Sequence, residues 1–261
     1  MTAIDCVHSI DGTGPALFLV HGIGSRRQAW NEVVSHLKDD FTCISYDLRG
    51  HGESPMPAPI PEGEFGLDEL VEDIEALRAK LGIEQTHVAG HSLGGMIGPA
   101  YAHAHPDRVL SLGILSTAAF RTEDDAAKLQ GVIRAMDEKG IGNTLDTLVD
   151  RWFTDEFIAA NPDKIEARLK QVIDTDPGVF MNVFHIYAET EMAPWLHEVT
   201  APSLVLTGEN DGGCNPRLNK LIDAALPNSE LVILDHLKHS LMIEDSALLA
   251  KHMKAFLLKH R

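Results

Sequence analysis

Ser92 stands between Gly90 and Gly94 in the run HVAGHSLGGM (87–96). The run has the form G-x-S-x-G, with apolar residues before it and small residues after it. A serine hydroxyl is a weak nucleophile. It becomes useful when a tight turn holds its oxygen clear of the backbone and a neighbouring base takes its proton. Glycines at 90, 94 and 95 relieve the crowding that such a turn creates. A helix starting at Gly94 turns its free amides and the positive end of its dipole toward the same point. Ser92 is therefore read as a nucleophile.

The base should be a histidine held by an acid. The chain has 14 histidines, so presence alone decides nothing. Two of them, His236 and His239, follow the last apolar run in LDHLKHSLMIEDS. His239 is preferred, because it lies one short loop beyond that run and just before the last helix. His236 is close enough to the strand end to be structural. The acid should follow the preceding apolar run, SLVLTGEN, where Asp211 stands in the loop GENDGGCNP. An aspartate beside glycine also serves as a plain turn residue. Asp235 is the weaker alternative. The chain order Ser92, Asp211, His239 fits one of the known orders of such a triad. Two backbone amides must face the developing oxyanion. Leu93, just after the nucleophile, is one candidate. Ile23, in the glycine-bounded turn of LVHGIGS, is the other, with His21 read as structural.

These residues need a scaffold. The runs ALFLVHG (16–22), TCISYDL (42–48), THVAGHS (86–92) and VLSLGILS (109–116) read as strands buried on both faces. GLDELVEDIEALRAKLG (66–82) carries Leu67, Leu70, Val71, Ile74, Leu77 and Leu81 at helical spacing, and a second helix follows Ser92 and stops near Pro106. Alternation of this kind makes a mostly parallel twisted sheet with helices on both faces. From 120 to 195 strand signals vanish, and four helical segments follow with breaks at Gly140–Gly142, Asn161–Pro162 and Pro177–Gly178. Strands resume at 202–211 and 229–236, and a helix over about 240–259 closes the chain. The expected organisation is a core of 1–119 and 196–261 with a helical cap, 120–195, inserted before the last two strands. The cap would lie over the carboxyl ends of the strands, where open α/β sheets bind ligands.

Composition narrows the partners. Lys and Arg number 22 against 39 Asp and Glu, a net charge of −17, which disfavours nucleic acid. Cys6, Cys43 and Cys214 are odd in number and far apart, giving no disulfide or zinc pattern and reading as isolated thiols. The opening MTAIDCVHSIDG lacks the apolar stretch of a signal peptide, and no run approaches the roughly 20 apolar residues of a membrane span. A cytoplasmic protein without a membrane partner is expected. GTG at 12–14 is a turn before a strand, not a dinucleotide fingerprint. His103 and His105 point in different directions. No metal and no cofactor are expected.

Four signals, HGIGS, DLRGHGES, GHSLGG and the late Asp211/His239 pair, together resemble the α/β-hydrolase family over nearly the whole chain. The resemblance implies an α/β-hydrolase fold and a structural role for Asp47–Ser54, including His51. The spacing His239-Ser-Leu-Met-Ile-Glu244 is similar to a family segment and favours His239 over His236. Arg151-Trp152-Phe153-Thr154, NPD and TDPGVF are similar to the caps of 3-oxoadipate enol-lactonases, enzymes of aromatic compound catabolism that open a small carboxylated lactone. By that likeness Trp152 would line the pocket. A carboxylated substrate needs a cation, and Arg26, Arg27 and Arg121 are the candidates. The expected function is hydrolysis of a small ester or lactone through an acyl-enzyme, with a homodimer possible. Amide hydrolysis, C–C bond hydrolysis or perhydrolysis on the same triad stay open, as does a ligand receptor that keeps a slow triad.

Overall fold

The computed structural model describes residues 2–56, 58–59 and 62–261. Its strands are β1 (His8–Asp11), β2 (Ala16–Val20), β3 (Thr42–Tyr46), β4 (Thr86–His91), β5 (Val109–Leu115), β6 (Ser203–Gly208) and β7 (Ser229–Leu234). They form one sheet in the order β1-β3-β2-β4-β5-β6-β7. The strands from β3 to β7 pair in parallel, whereas β1 pairs antiparallel with β3 at one edge. β4 and β6 are buried along their whole length, in keeping with runs that are apolar or small but for His87 and His91. β1 was not expected from the sequence. Its residues HSID are polar except for an exposed Ile10, so neither alternation nor an apolar run marks them.

The chain moves outward from β2 to β3 and then returns to the other side of β2 with β4. The carboxyl ends of β2 and β4 are therefore neighbours, with Val20 opposite Gly90. This is the point where open α/β sheets leave a crevice.

Helices fill both faces. α1 spans Asn31–Leu37, α2 Leu67–Lys80 and α3 Gly94–Ala104. Five helices lie between β5 and β6: α4 (Glu123–Lys139), α5 (Leu145–Trp152), α6 (Asp155–Ala160), α7 (Pro162–Asp174) and α8 (Pro177–Glu189). α9 (Pro216–Ala225) links β6 to β7, and α10 (Leu241–Glu244) and α11 (Ser246–Leu257) follow β7. On one face Leu70, Ile74 and Leu77 of α2 pack with Met96 and Tyr101 of α3 and Ile222 of α9. On the other, Val33 and Leu37 of α1 pack with Leu249, Met253 and Phe256 of α11. The inserted block has apolar centres of its own, one around Met136, Leu148, Val172 and Phe180, another around Phe153 and Ile165.

Two further details depart from the sequence reading. The final helix is broken: the Asp245 side chain accepts the Leu248 amide at 2.8 Å, so it caps a new helix rather than continuing the old one. α6 is an extra helix of six residues, capped by Thr154, whose hydroxyl accepts the Phe157 amide. A segment this short has no periodicity to read. Among the described residues, no helix is long and apolar enough to cross a membrane.

Candidate active site

Ser92 occupies the turn between β4 and α3 with φ of 58°, a left-handed conformation that side chains rarely adopt. Its amide donates to the Leu115 carbonyl at 2.9 Å, and its carbonyl accepts the Gly95 amide at 2.9 Å. The flanking glycines are sterically required. A Cβ at Gly90 would run into the Gly94 carbonyl, and one at Gly94 into the Val20 carbonyl. The strained turn is thus held from three sides.

Asp211 follows β6 and is buried, with 2% of its surface exposed. Its Oδ1 accepts the amides of Gly213 (3.0 Å) and Cys214 (2.8 Å). Its Oδ2 accepts Nδ1–H of His239 at 2.7 Å. Burial works against the charged form of Asp211, but His239 and the two amides hold its pKa below the usual value. Burial also works against a charged His239 ring, and the Asp211 carboxylate, with Cys214 beside it, more than offsets it, raising its pKa. With Nδ1 committed to Asp211, Nε2 of His239 is the nitrogen left to take a proton.

The loop that carries His239 is anchored on both sides. His91, next to the serine, donates Nε2–H to the His239 carbonyl at 2.8 Å, and the two rings lie 4.7 Å apart. Burial and the neighbouring His239 ring depress the pKa of His91 to about 3, so it stays neutral. The Ser240 amide donates to the Trp152 carbonyl at 2.9 Å. The Glu244 carboxylate accepts the Lys238 amide at 3.1 Å and the Thr154 amide at 2.7 Å.

The turn after β2 approaches Ser92 closely: a Cβ on Gly22 would lie 3.0 Å from Ser92 Cβ. His21 donates Nδ1–H to the Gly22 carbonyl at 2.8 Å and accepts the Leu48 amide on Nε2 at 3.0 Å. His51 accepts the Gly24 amide at 3.3 Å. Both histidines are structural here, as expected. Arg49 pairs with Asp73 through two bonds of 2.7 Å in the core, so the Asp47–Ser54 loop is a brace. Among the described residues, the amides of Ile23 and Leu93 donate to no protein acceptor.

Ser92, His239 and Asp211 line one cavity of about 250 Å³ beneath the inserted helices. That volume suits a small ligand. Ile23, Trp152 and Arg121 also line it. Arg26 and Arg27 do not. Arg26 faces Asp174 at 3.7 Å, and Arg27 is taken up by Asp47, Glu53 and Ser9. Two arginines in a row after the turn gave no hint of this, because their partners are distant in sequence. Asp235 and His236 are exposed, and the His236 amide bonds Glu209.

Three residues escaped the sequence reading. Arg168 of α7 lines the cavity, donates to the carbonyls of Gly24 (2.6 Å) and Ile23 (3.0 Å), and lies 4.5 Å over the Trp152 ring. Its signal was present: it shares the buried stripe with Ile165 and Val172, while the helix's other charges lie outside that stripe. His91 was hidden by its place in the turn. Cys214 looked like an isolated thiol, yet its Sγ lies 3.0 Å from the Tyr187 hydroxyl, and its ligand atom, one of Asp211 and one of His239 all lie within 4.8 Å of one another.

Residues 15–246 match the family model described as alpha/beta hydrolase fold. The chain is an α/β-hydrolase. It is a hydrolytic enzyme, and its relatives carry such names. This α/β-hydrolase is 29% identical over 197 residues to 3-oxoadipate enol-lactonase 2 of Acinetobacter baylyi, covering 76% of this chain and 72% of that one. It superposes on the enol-lactonase from Burkholderia xenovorans with a TM-score of 0.88 at 23% identity, over 98% of this chain and 97% of the other. It superposes on a thermophilic esterase from Thermogutta terrifontis, solved with malate bound, with a TM-score of 0.87 at 25% identity, over 99% and 95% of the two chains.

Proposed function

We infer that this α/β-hydrolase cleaves a small carboxylic ester or lactone bearing a carboxylate, through an acyl-enzyme on Ser92 and without a cofactor. The observation that carries this reading is the 2.7 Å bond from His239 to Asp211 in the same small cavity as the strained Ser92. In the proposed cycle, Ser92 Oγ attacks the carbonyl carbon as His239 Nε2 takes its proton. The amides of Leu93 and Ile23 receive the oxyanion. Collapse breaks the carbon–oxygen bond, and His239 returns the proton to the leaving oxygen. A water then gives its proton to His239 as it attacks the acyl group, and His239 returns that proton to Ser92 Oγ as the acid leaves.

The carboxylate is argued from charge. The protein carries −17 overall, yet four cations, Arg121, Lys128, Arg151 and Arg168, line the cavity against two carboxylates, Asp125 and Asp211, which are paired with Arg217 and His239. Nη2 of Arg121 is buried and has no hydrogen-bond partner, while Nη1 donates to the Thr190 carbonyl at 3.0 Å. Arg121 is the proposed carboxylate anchor. The names of the relatives, an enol-lactonase and an esterase holding malate, agree with a small acidic ligand.

A panel of small esters, lactones and amides, each with and without a carboxylate, tests the reading. Turnover of carboxylated esters or lactones is expected to be highest, and Arg121→Met should raise KM for these about tenfold while leaving neutral esters alone. Preference for amides, or equal use of neutral and acidic esters, contradicts it.

A further inference from the structure

The turn at 22–24 is held by partners on four of its six backbone polar groups, all three carbonyls included. The Gly22 carbonyl takes His21 Nδ1–H, and the Gly24 amide goes to His51. The carbonyls of Ile23 and Gly24 both go to one side chain, Arg168, which comes from α7 across the cavity. What remain are the Gly22 and Ile23 amides, which have no acceptor among the described residues, and Ile23 lines the cavity with Ser92. Gly24 adopts φ of 56°, and a Cβ there would meet the Phe180 ring of α8 at 2.7 Å, so the turn and the helical block are in close contact.

Arg168 is an unusual brace. It is buried, with 9% of its surface exposed, and bonds no carboxylate among the described residues. Its planar guanidinium reaches two successive carbonyls, which a lysine ammonium has no fixed geometry to do. The Trp152 face fixes the plane of the fork. The Ile23 amide shares its peptide plane with the Gly22 carbonyl, which His21 holds. Arg168 holds the next two peptides through the Ile23 and Gly24 carbonyls, so rotation about the Ile23 Cα, which would swing the amide, is blocked from both sides.

We propose that Arg168 is a positioning residue for the oxyanion hole: by gripping the Ile23 and Gly24 carbonyls from the inserted helices, it aims the Ile23 amide at the reacting carbonyl. This rests on the reading of Ser92 as nucleophile and goes beyond it. The oxyanion hole is then complete only with α7 docked, and the helical block serves the transition state as well as ground-state binding. Arg168 does not receive the substrate carboxylate. Arg121 has that place.

Arg168→Met and Arg168→Lys are compared with the unmodified enzyme on a neutral ester and a carboxylated ester. Both variants are expected to lose about 10- to 100-fold in kcat on both esters, with KM changed less than about threefold. Affinity for a trifluoromethyl ketone, whose adduct carries an oxyanion, should fall by the same factor. Affinity for the product acid should not change. A purely structural role would not separate these two ligands. A rise in KM on the carboxylated ester alone, with kcat kept, overturns the proposal and makes Arg168 a substrate anchor. An unchanged kcat also overturns it. If the methionine variant fails to fold, the lysine variant carries the comparison. Ser92→Ala is run beside them: activity retained there sinks the nucleophile reading, whereas activity lost there but kept in the Arg168 variants sinks only this proposal.

Discussion

Asp211 spends one carboxylate oxygen on two backbone amides and the other on His239. The first set fixes the carboxylate and the second fixes the ring, so His239 has one nitrogen free for proton transfer. The sign of the pH dependence follows. The pKa of His239 is raised above the ordinary histidine value of 6.5, despite burial, by the Asp211 charge. A base must be unprotonated to work. The rate kcat/KM should therefore climb with pH, with its midpoint above about 6.5. Asp211→Asn removes the charge, so the midpoint should move down and kcat should fall by about 10⁴-fold. A pH–rate profile of both proteins checks this, and an unshifted midpoint in the variant would contradict it. At this scale the sequence was informative where chemistry leaves a local mark. Asp211 and His239 each follow an apolar run, and Ser92 sits among glycines. It was silent on Arg26 and Arg27, whose carboxylate partners include Asp174 and Asp47, far away in the chain.

The elements explain why the site needs so few residues in special conformations. β2 and β4 lie side by side because the chain reverses direction across the sheet after β3. That single reversal brings the 22–24 turn to Ser92. β6 and β7, also adjacent, end in the loops of Asp211 and His239. β2, β4 and β6 were legible as buried runs rich in apolar residues, and β7 by its Leu-Val-Ile-Leu stretch. β1 was not, since a half-exposed edge strand has no pattern to show. The inserted helices were legible as helices but not as a machine part. Periodicity gives the faces of α7, while the target of Arg168 depends on how α7 docks. Glu244 makes the same point. Its spacing from His239 was visible, but its bonds to Lys238 and Thr154, which join the histidine loop to the inserted helices, belong to the folded chain.

The whole molecule must keep several histidines neutral. Burial depresses the pKa of His51 to about 4, of His87 to about 4 and of His91 to about 3, and it holds His21 well below 6.5. Unfolding returns each to about 6.5, so the unfolded chain binds more protons in acid. Stability is complete above about pH 6.5 and is lost as pH falls toward 4 and below. His51 alone withdraws about 3 kcal/mol by pH 4. His239 works in the opposite sense: its raised pKa stabilises the fold fully below about 6.5 and less as pH rises. Urea unfolding at pH 7 and pH 5 should give a clearly lower midpoint at pH 5. Equal midpoints would show that these rings are not held neutral.

The central claim is that Ser92 is the nucleophile of this acidic α/β-hydrolase, and it needs no knowledge of the substrate to be tested. The protein is treated with a fluorophosphonate and the modified peptide is identified by mass spectrometry. One adduct is expected, on Ser92, forming at a rate that Asp211→Asn lowers, and absent from Ser92→Ala. An adduct on another residue, or labelling that persists in Ser92→Ala, contradicts the account.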